Sequence, residues 1–397
     1  MYRLLLIKRF IEDIFISPFI LAGRVTAAIR PLKKEYRVFF FFPFYHTGGA
    51  EKVHAQIAAA TGGDDCIIFF TKKSGDDRFL EDFKKTGCEI KEISGMVDVK
   101  WLYFLNLFHR GIISGYINSQ VRKPVVFNGQ CNFGYKLSRW IKRKVPQIEL
   151  IHSFNTFSDI RIPFLPYISR TVMISKKRIE DHRQQYNRYR IPASFTERIR
   201  FIPNAITLPQ SVPSKSDNDL VVLYVGRGTQ EKRVEIIADI ATGLRSSFIQ
   251  FEMLGDVTGT VKPENYSFIK FYGNINDEDR IGEIYAKAHV LILVSATEGF
   301  PMVIMEAMAH GCAILSTAVG DIPYHITNGE NGFLFSDANN KSSIIGEAKG
   351  KLIWLRENRN ELRKIEMNNI NYARHNFGIE RFNKDYRDLF SKAINDT

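Results

Sequence analysis

A chain of 397 residues exceeds the usual span of one domain, about 100 to 200 residues, and points to two domains. Its 45% hydrophobic and 25% charged content exclude a disordered polymer, and its net charge of +12 favours an anionic partner: nucleic acid, a membrane surface or a phosphorylated substrate. Cys66, Cys88, Cys131 and Cys312 form no CxxC pair and have no histidine at metal-ligand spacing, which argues against a disulfide framework or structural zinc and fits a reducing, cytoplasmic setting.

In residues 1–22, Lys8, Arg9, Glu12 and Asp13 recur at helical spacing, opposite Leu4, Leu6, Ile7, Phe10, Ile11, Ile14 and Phe15. The charges and Pro18 leave no apolar run near the roughly 20 residues of a spanning helix, and no signal-peptide pattern is convincing. An amphipathic helix follows, lying in a membrane interface or packed on the protein's own surface.

From Arg37 onward, short apolar runs alternate with helical patterns. RVFFFFP (37–43), CIIFF (66–70), VVFN (125–128), IELIHS (148–153), TVMIS (171–175) and RIRFIPNA (198–205) read as strands. Several are continuously apolar, as in sheets covered on both faces. The polar stretch LPQSVPSKSDND (208–219) reads as a linker. The alternation then restarts with strands at 221–226, 248–255, 267–273, 289–295 and 312–317, and helices at 230–243, 277–287 and 302–310. A last amphipathic helix, 376–394, is expected to pack back across the junction. The organisation is thus α/β: an extension (1–35), a first domain (36–207), the linker (208–219), a second domain (220–375) and a terminal helix (376–397).

Three segments carry candidate chemistry. In VSATEGFPMVIMEAMAHGCAILST (294–317) a strand runs through a loop into a helix beginning near Pro301, whose N-terminus offers free amides to a diphosphate. Gly299 admits close approach of a ligand, Glu306 suits a ribose diol, and Glu298 suits sugar hydroxyls or developing positive charge. By themselves the two glutamates also read as one solvated and one capping carboxylate. In VLYVGRGTQEKR (222–233), Arg227 and Lys232 could neutralise a leaving nucleoside diphosphate in place of a divalent metal, or the glycines could mark a simple turn. In FFPFYHTGGAEKVHAQIA (41–58), Gly48 and Gly49 link strand to helix and could bring backbone amides to a ligand, or serve only the turn.

Together these segments resemble the retaining glycosyltransferases of family 4, with the GT-B architecture of two facing Rossmann-like domains and an interdomain cleft. The matching stretches are HTGGAEK (46–52), RFIPNAI (200–206), VGRGTQEK (225–232), ATEGFPMVIMEAMAHGCAILST (296–317) and NGENGFLF (328–335), in the family's order. The resemblance implies that Glu298 and Glu306 form the Glu-x7-Glu motif, with Glu306 on the ribose and Glu298 at the donor sugar. It implies that Arg227 and Lys232 bind the diphosphate, that the amides of Phe300, Met302 and Val303 assist, and that His152 lies near the transferred sugar. It further implies front-side attack with retention, no cofactor and no metal. The sequence departs from the family at Arg233, where glycine is usual, at Asp321 and Tyr324, where glycine and glutamate are commoner, and in its N-terminal extension.

Asp277-Glu278-Asp279 matches a metal-binding D-x-D pattern but sits where a helix should start, so capping is the expected role. The basic clusters Lys136, Arg139, Lys142, Arg143, Lys144 and Lys176, Lys177, Arg178, Arg183, Arg188, Arg190 lack a nucleic-acid module and read as solvated faces or as docking faces for anionic lipid or a lipid-diphosphate acceptor. The expectation is a metal-independent hexosyltransferase acting on a lipid-linked or cell-surface glycan in polysaccharide or lipopolysaccharide biosynthesis, cytoplasmic and peripheral on the inner face of the membrane, with no nucleic-acid partner. A GT-B nucleotide-sugar epimerase would instead turn over donor alone. A non-catalytic membrane or glycan binder would have no need of Arg227, Lys232, Glu298 and Glu306 together.

Overall fold

The computed structural model describes residues 1–46 and 48–395; Thr47, within HTGGAEK, and residues 396–397 lie outside the described residues. The chain divides into one unit of Met1–Pro203 with Glu380–Thr397, and a second of Asn204–Ile379. The second unit thus begins before the polar stretch at 208–219. The reason is local: Ile206 is buried, its amide donates to Phe377 O at 2.9 Å, and it bridges to Gly378.

In the first unit the strands β1 (Val38–Phe42), β2 (Cys66–Phe70), β3 (Glu89–Glu92), β4 (Val125–Asn128), β5 (Gln147–Ile151), β6 (Arg170–Met173) and β7 (Ile199–Phe201) form a parallel sheet in the order 3-2-1-4-5-6-7. Every residue of β1 is buried, which is why it reads VFFFF rather than alternating. The terminal helix, Ile379–Asn395, packs here: Phe390 stacks on Phe127 at 5.5 Å, and Arg387 Nε donates to Ala60 O at 2.9 Å.

The helix Tyr2–Ile29 lies along the helix Tyr103–Ser119. Small residues set their separation. A Cβ on Gly111 would meet Ile20 O at 2.3 Å, and one on Gly115 would meet Ala27 Cβ at 2.7 Å. The inward stripe includes Asp13, which pairs with Arg139, and Arg24, which donates to Trp140 O at 2.6 Å. The outward side carries Leu4, Ile7, Phe10, Ile11, Ile14, Phe15, Leu21, Val25 and Ile29. So of the four charges read as one polar face, Asp13 is buried and Arg9 and Glu12 are half-buried. The apolar side faces out. The helix continues through Pro18, whose missing N–H would leave Ile14 O unpaired; Ser17 Oγ donates to that carbonyl at 2.8 Å.

In the second unit, β8 (Leu220–Val225), β9 (Ile249–Leu254), β10 (Ile269–Gly273), β11 (Val290–Leu293), β12 (Ala313–Thr317) and β13 (Gly332–Phe335) form a parallel sheet in the order 10-9-8-11-12-13. Both sheets therefore reverse their strand order beside their first strand, where doubly wound folds bind ligands at the carboxyl ends.

Candidate active site

In the second unit that reversal lies between β8 and β11, and the two candidate loops leave those strands. After β8 the chain turns at Gly226 with φ 153°, and a Cβ on Gly228 would meet the backbone of Val257 at 2.7 Å, so the loop packs where a side chain would not fit. Tyr224 donates to Arg227 O at 2.8 Å and fixes the turn below an exposed Arg227 side chain. Arg233 takes the left-handed conformation, φ 51° and ψ 43°, that the family's glycine would adopt freely. Its guanidinium donates to Val294 O at 2.7 Å and Ser295 O at 3.1 Å, tying the β8 loop to the end of β11 and offsetting the strain.

This tie brings the charged groups together. Lys232 Nζ lies 2.6 Å from Glu298 Oε1, in a pair whose carboxylate is 9% exposed. Glu298 leads into Phe300, which is buried against His325 at 3.9 Å and Phe377 at 5.5 Å; the phenyl ring is thus an anchor for the loop. Gly320, at φ 61°, lies against Glu298 and Gly299, where a Cβ would meet backbone oxygens at 2.3–2.4 Å, and Asp321 N donates to Gly299 O at 2.8 Å. The Cβ side of Gly299 itself is open. The helix Met302–Ala309 follows Pro301, so the amides of Met302 and Val303 stand in a first turn with no carbonyl behind them.

Glu306 lies on that helix and is half-buried, and Tyr285 OH donates to its Oε2 at 3.0 Å. Burial, and then the Glu306 charge, hold the Tyr285 phenol well above its usual range, so it remains a donor. His310 stacks on Tyr285 at 5.4 Å and bonds Glu306 O at 2.8 Å. Tyr285, His310 and the tie made by Arg233 carried no signal in sequence: an aromatic inside a helix reads as core. Asp277 caps its helix, accepting from Asp279 N and Arg280 N at 3.0 and 3.2 Å.

The remaining candidates lie in the first unit. His152, one residue beyond β5, is half-buried and its Nε2 meets His54 Nε2 at 2.9 Å. Burial lowers His152 to about 4 and His54 well below its ordinary value, so the pair is neutral at pH 7 with one bridging proton. With His54 as the donor, its buried Nδ1, which has no partner among the described residues, is left an acceptor rather than a stranded N–H. Gly129 makes room for this, since a Cβ there would meet Phe42 and His54 at 2.6–2.7 Å. Gly48 is extended, and a Cβ on it would meet the Glu51 carboxylate at 2.1 Å, while Gly49 has open space on that side.

Residues 219–348 match the family described as Glycosyl transferases group 1. The N-acetyl-alpha-D-glucosaminyl L-malate synthase of Bacillus anthracis is 27% identical over 132 residues, 30% of this chain and 32% of that protein. The lipopolysaccharide 1,2-N-acetylglucosaminetransferase of Salmonella typhimurium is 24% identical over 239 residues, 53% of this chain and 60% of that protein. The matches thus span less than two thirds of these relatives. The crystal structure of Anabaena Alr3699/HepE in complex with UDP-glucose superposes with a TM-score of 0.70 at 17% identity, covering 89% of this chain and 99% of that one. The fold is GT-B.

Proposed function

We propose, from the match of residues 219–348 to Glycosyl transferases group 1 and from the GT-B fold, that the protein transfers a sugar from a nucleotide diphosphate donor to a lipid-linked or cell-surface glycan, with retention and without a metal ion. The observation that carries this reading is the Lys232–Glu298 contact at the strand reversal, with Glu306 one helical turn inside the helix that the same loop opens.

Each group has a role suited to its surroundings. Lys232 exchanges Glu298 for the donor diphosphate, and Arg227, exposed beside it, adds a second cation as negative charge develops on the leaving group. The amides of Met302 and Val303 and the helix dipole reinforce them. Glu298, released from Lys232, meets the sugar hydroxyls and the positive charge of an oxocarbenium-like transition state. Glu306, oriented by Tyr285, accepts the ribose diol. The neutral His152 supplies hydrogen bonding rather than charge near the acceptor side.

The reading also includes peripheral contact with an anionic membrane. No described helix is long and apolar enough to cross a bilayer, yet the N-terminal helix turns a continuous apolar row outward. Such a helix lies in the interface, about 5–10 Å deep, with basic neighbours at the headgroups; Lys8, Lys33 and Lys34 are exposed beside it.

Incubation with a panel of nucleotide sugars and bacterial lipid extract, with and without EDTA, tests transfer. The expected result is sugar incorporation that chelation leaves unchanged; incorporation lost with EDTA and restored by magnesium would overturn the metal-free mechanism, and donor turnover without incorporation would favour an epimerase.

A further inference from the structure

Two thiols stand side by side at the end of the first unit's sheet that lies opposite the carboxyl ends of its strands. Ile67 of β2 pairs in parallel with Glu89 of β3, so the residues one step earlier, Cys66 and Cys88, face each other where the ladder begins. We propose that Cys66 and Cys88 form a reversible modification site, closing to a disulfide by exchange with a small carboxylate-bearing disulfide, with Cys88 as the attacking thiol.

Spacing is the first observation. Neighbouring strands run about 4.8 Å apart, inside the Cα separation of about 4.4–6.8 Å that a disulfide spans. The turns before the two strands close tightly around the pair. A Cβ on Gly62 would meet Cys88 Sγ at 2.7 Å, and one on Gly87 would meet Gly63 at 3.7 Å. The two thiols also hydrogen-bond each other. Cys131 instead bonds Thr71 Oγ1 at 3.0 Å, and Cys312 lies in the second unit, 3.2 Å from Ala288 O.

Chemical asymmetry is the second. Cys88 is 8% exposed and Cys66 is fully buried. The hydrogen bond from the Cys66 thiol outweighs burial and lowers Cys88 to about 6, so Cys88 is the thiolate at pH 7 and Cys66 keeps its proton. Arg37 Nη2 donates to Cys66 Sγ at 3.4 Å and favours the charge that forms there once the proton leaves. Asp65, whose Oδ1 is 3.2 Å from the same sulfur, opposes this but is itself paired with Arg37 at 2.8 Å.

The third observation is access. A cavity of about 320 Å³ opens between this corner and the terminal helix, with Arg37, Thr61, Gly62, Arg387 and Ser391 on its wall. Gly62 belongs both to that wall and to the Cys88 contact. Two guanidinium groups give the cavity the sign that a carboxylate-bearing disulfide fits.

The exchange balances without any further reactant. The Cys88 thiolate attacks one sulfur of the small disulfide, whose S–S bond breaks to release a thiolate. That thiolate takes the Cys66 proton. The Cys66 sulfur then attacks Cys88 Sγ in the mixed disulfide and displaces the second small thiolate. Two protein sulfurs are oxidised, and the small disulfide is reduced to one thiol and one thiolate.

Oxidised glutathione added to the folded full chain, followed by alkylation and peptide mapping, tests this. The Cys66 and Cys88 peptides should be joined, free thiols should fall by two from the four of the reduced chain, and dithiothreitol should restore them. Cys66→Ser should instead trap one glutathione on Cys88, and Cys88→Ser should take up glutathione about 10-fold more slowly. Arg387→Ala should slow the exchange about 3-fold with oxidised glutathione and leave the rate with uncharged 2-hydroxyethyl disulfide unchanged. Thiols that react in urea but not in the folded chain would overturn the site, as would a link to Cys131 or Cys312. Glutathione trapped on Cys66 in Cys88→Ser, with none on Cys88 in Cys66→Ser, would overturn the choice of attacking thiol. An Arg387→Ala rate that changes equally with both disulfides would overturn the carboxylate preference. Melting temperatures matching the natural chain show that the variants are folded, and mapping of the natural chain tests the disulfide without any variant.

Discussion

At the scale of single residues, the histidines make the clearest prediction. Burial lowers His152, His182 and His289 to about 4, and His54 well below its ordinary value. Unfolded, each titrates near 6.5. Below that pH the unfolded chain takes up protons that the fold refuses, so stability is intact above about pH 6.5, falls as pH drops toward about 4, and levels off beneath. Urea midpoints at pH 7, 5.5 and 4.5 should decrease in that order, and a midpoint rising on acidification would contradict the burial of these rings as neutral species. Lys232, Glu298 and Glu306 were legible as candidates because each falls in a segment that leads from a strand through a loop into a helix, and the resemblance to the family supplied their expected roles. Tyr285, which orients Glu306, was not, because it stands on a separate helix 21 residues earlier and its hydroxyl's partner emerges only when the two helices pack. Arg233 was legible as a departure from the family, but not how it tolerates a glycine's conformation: the two carbonyls it binds belong to a strand end about 60 residues away.

Among the elements, the helix Tyr2–Ile29 joins two requirements that usually conflict. Its contact with Tyr103–Ser119 uses small residues, and its inward Asp13 pairs with Arg139 beyond that helix, leaving the large apolar residues outside. A Gly111→Val change would press a side chain against Ile20 O and should lower stability by about 1–3 kcal/mol in chemical denaturation; an unchanged midpoint would mean the two helices do not pack closely. Replacing Ile11 and Phe15, exposed at 49% and 75%, with serine should leave the midpoint alone and release the protein from vesicles containing phosphatidylglycerol. Retention on those vesicles would transfer the contact to the basic clusters. The periodicity of residues 1–22 showed an amphipathic helix without showing which side would be buried, since Gly23, Gly111 and Gly115 decide that from outside the window. The central strands were legible from unbroken apolar runs. β3, with the sequence EIKE at the sheet's edge, was not, because an edge strand tolerates the charges that hide it. β13, at the other sheet's edge, is only four residues long and is hidden in sequence by the Asn and Gly turn residues of NGENGFLF.

For the molecule as a whole, both sheets reverse their strand order beside their first strand, and the proposed donor site sits at the second unit's reversal. The second unit gathers cations and carboxylates around a helix N-terminus, as a nucleotide sugar requires. The +12 net charge suits the anionic donor and membrane of the proposed function. The central claim is that the β8 and β11 loops hold a nucleoside diphosphate without a metal. A thermal-shift screen of UDP, GDP, ADP, CMP and TDP in EDTA, on the natural chain and on Glu306→Ala, tests it most directly. The account predicts that one nucleoside diphosphate raises the melting temperature of the natural chain and that the Glu306→Ala chain loses most of that rise. Stabilisation that appears only with magnesium, or that survives in Glu306→Ala undiminished, would contradict it.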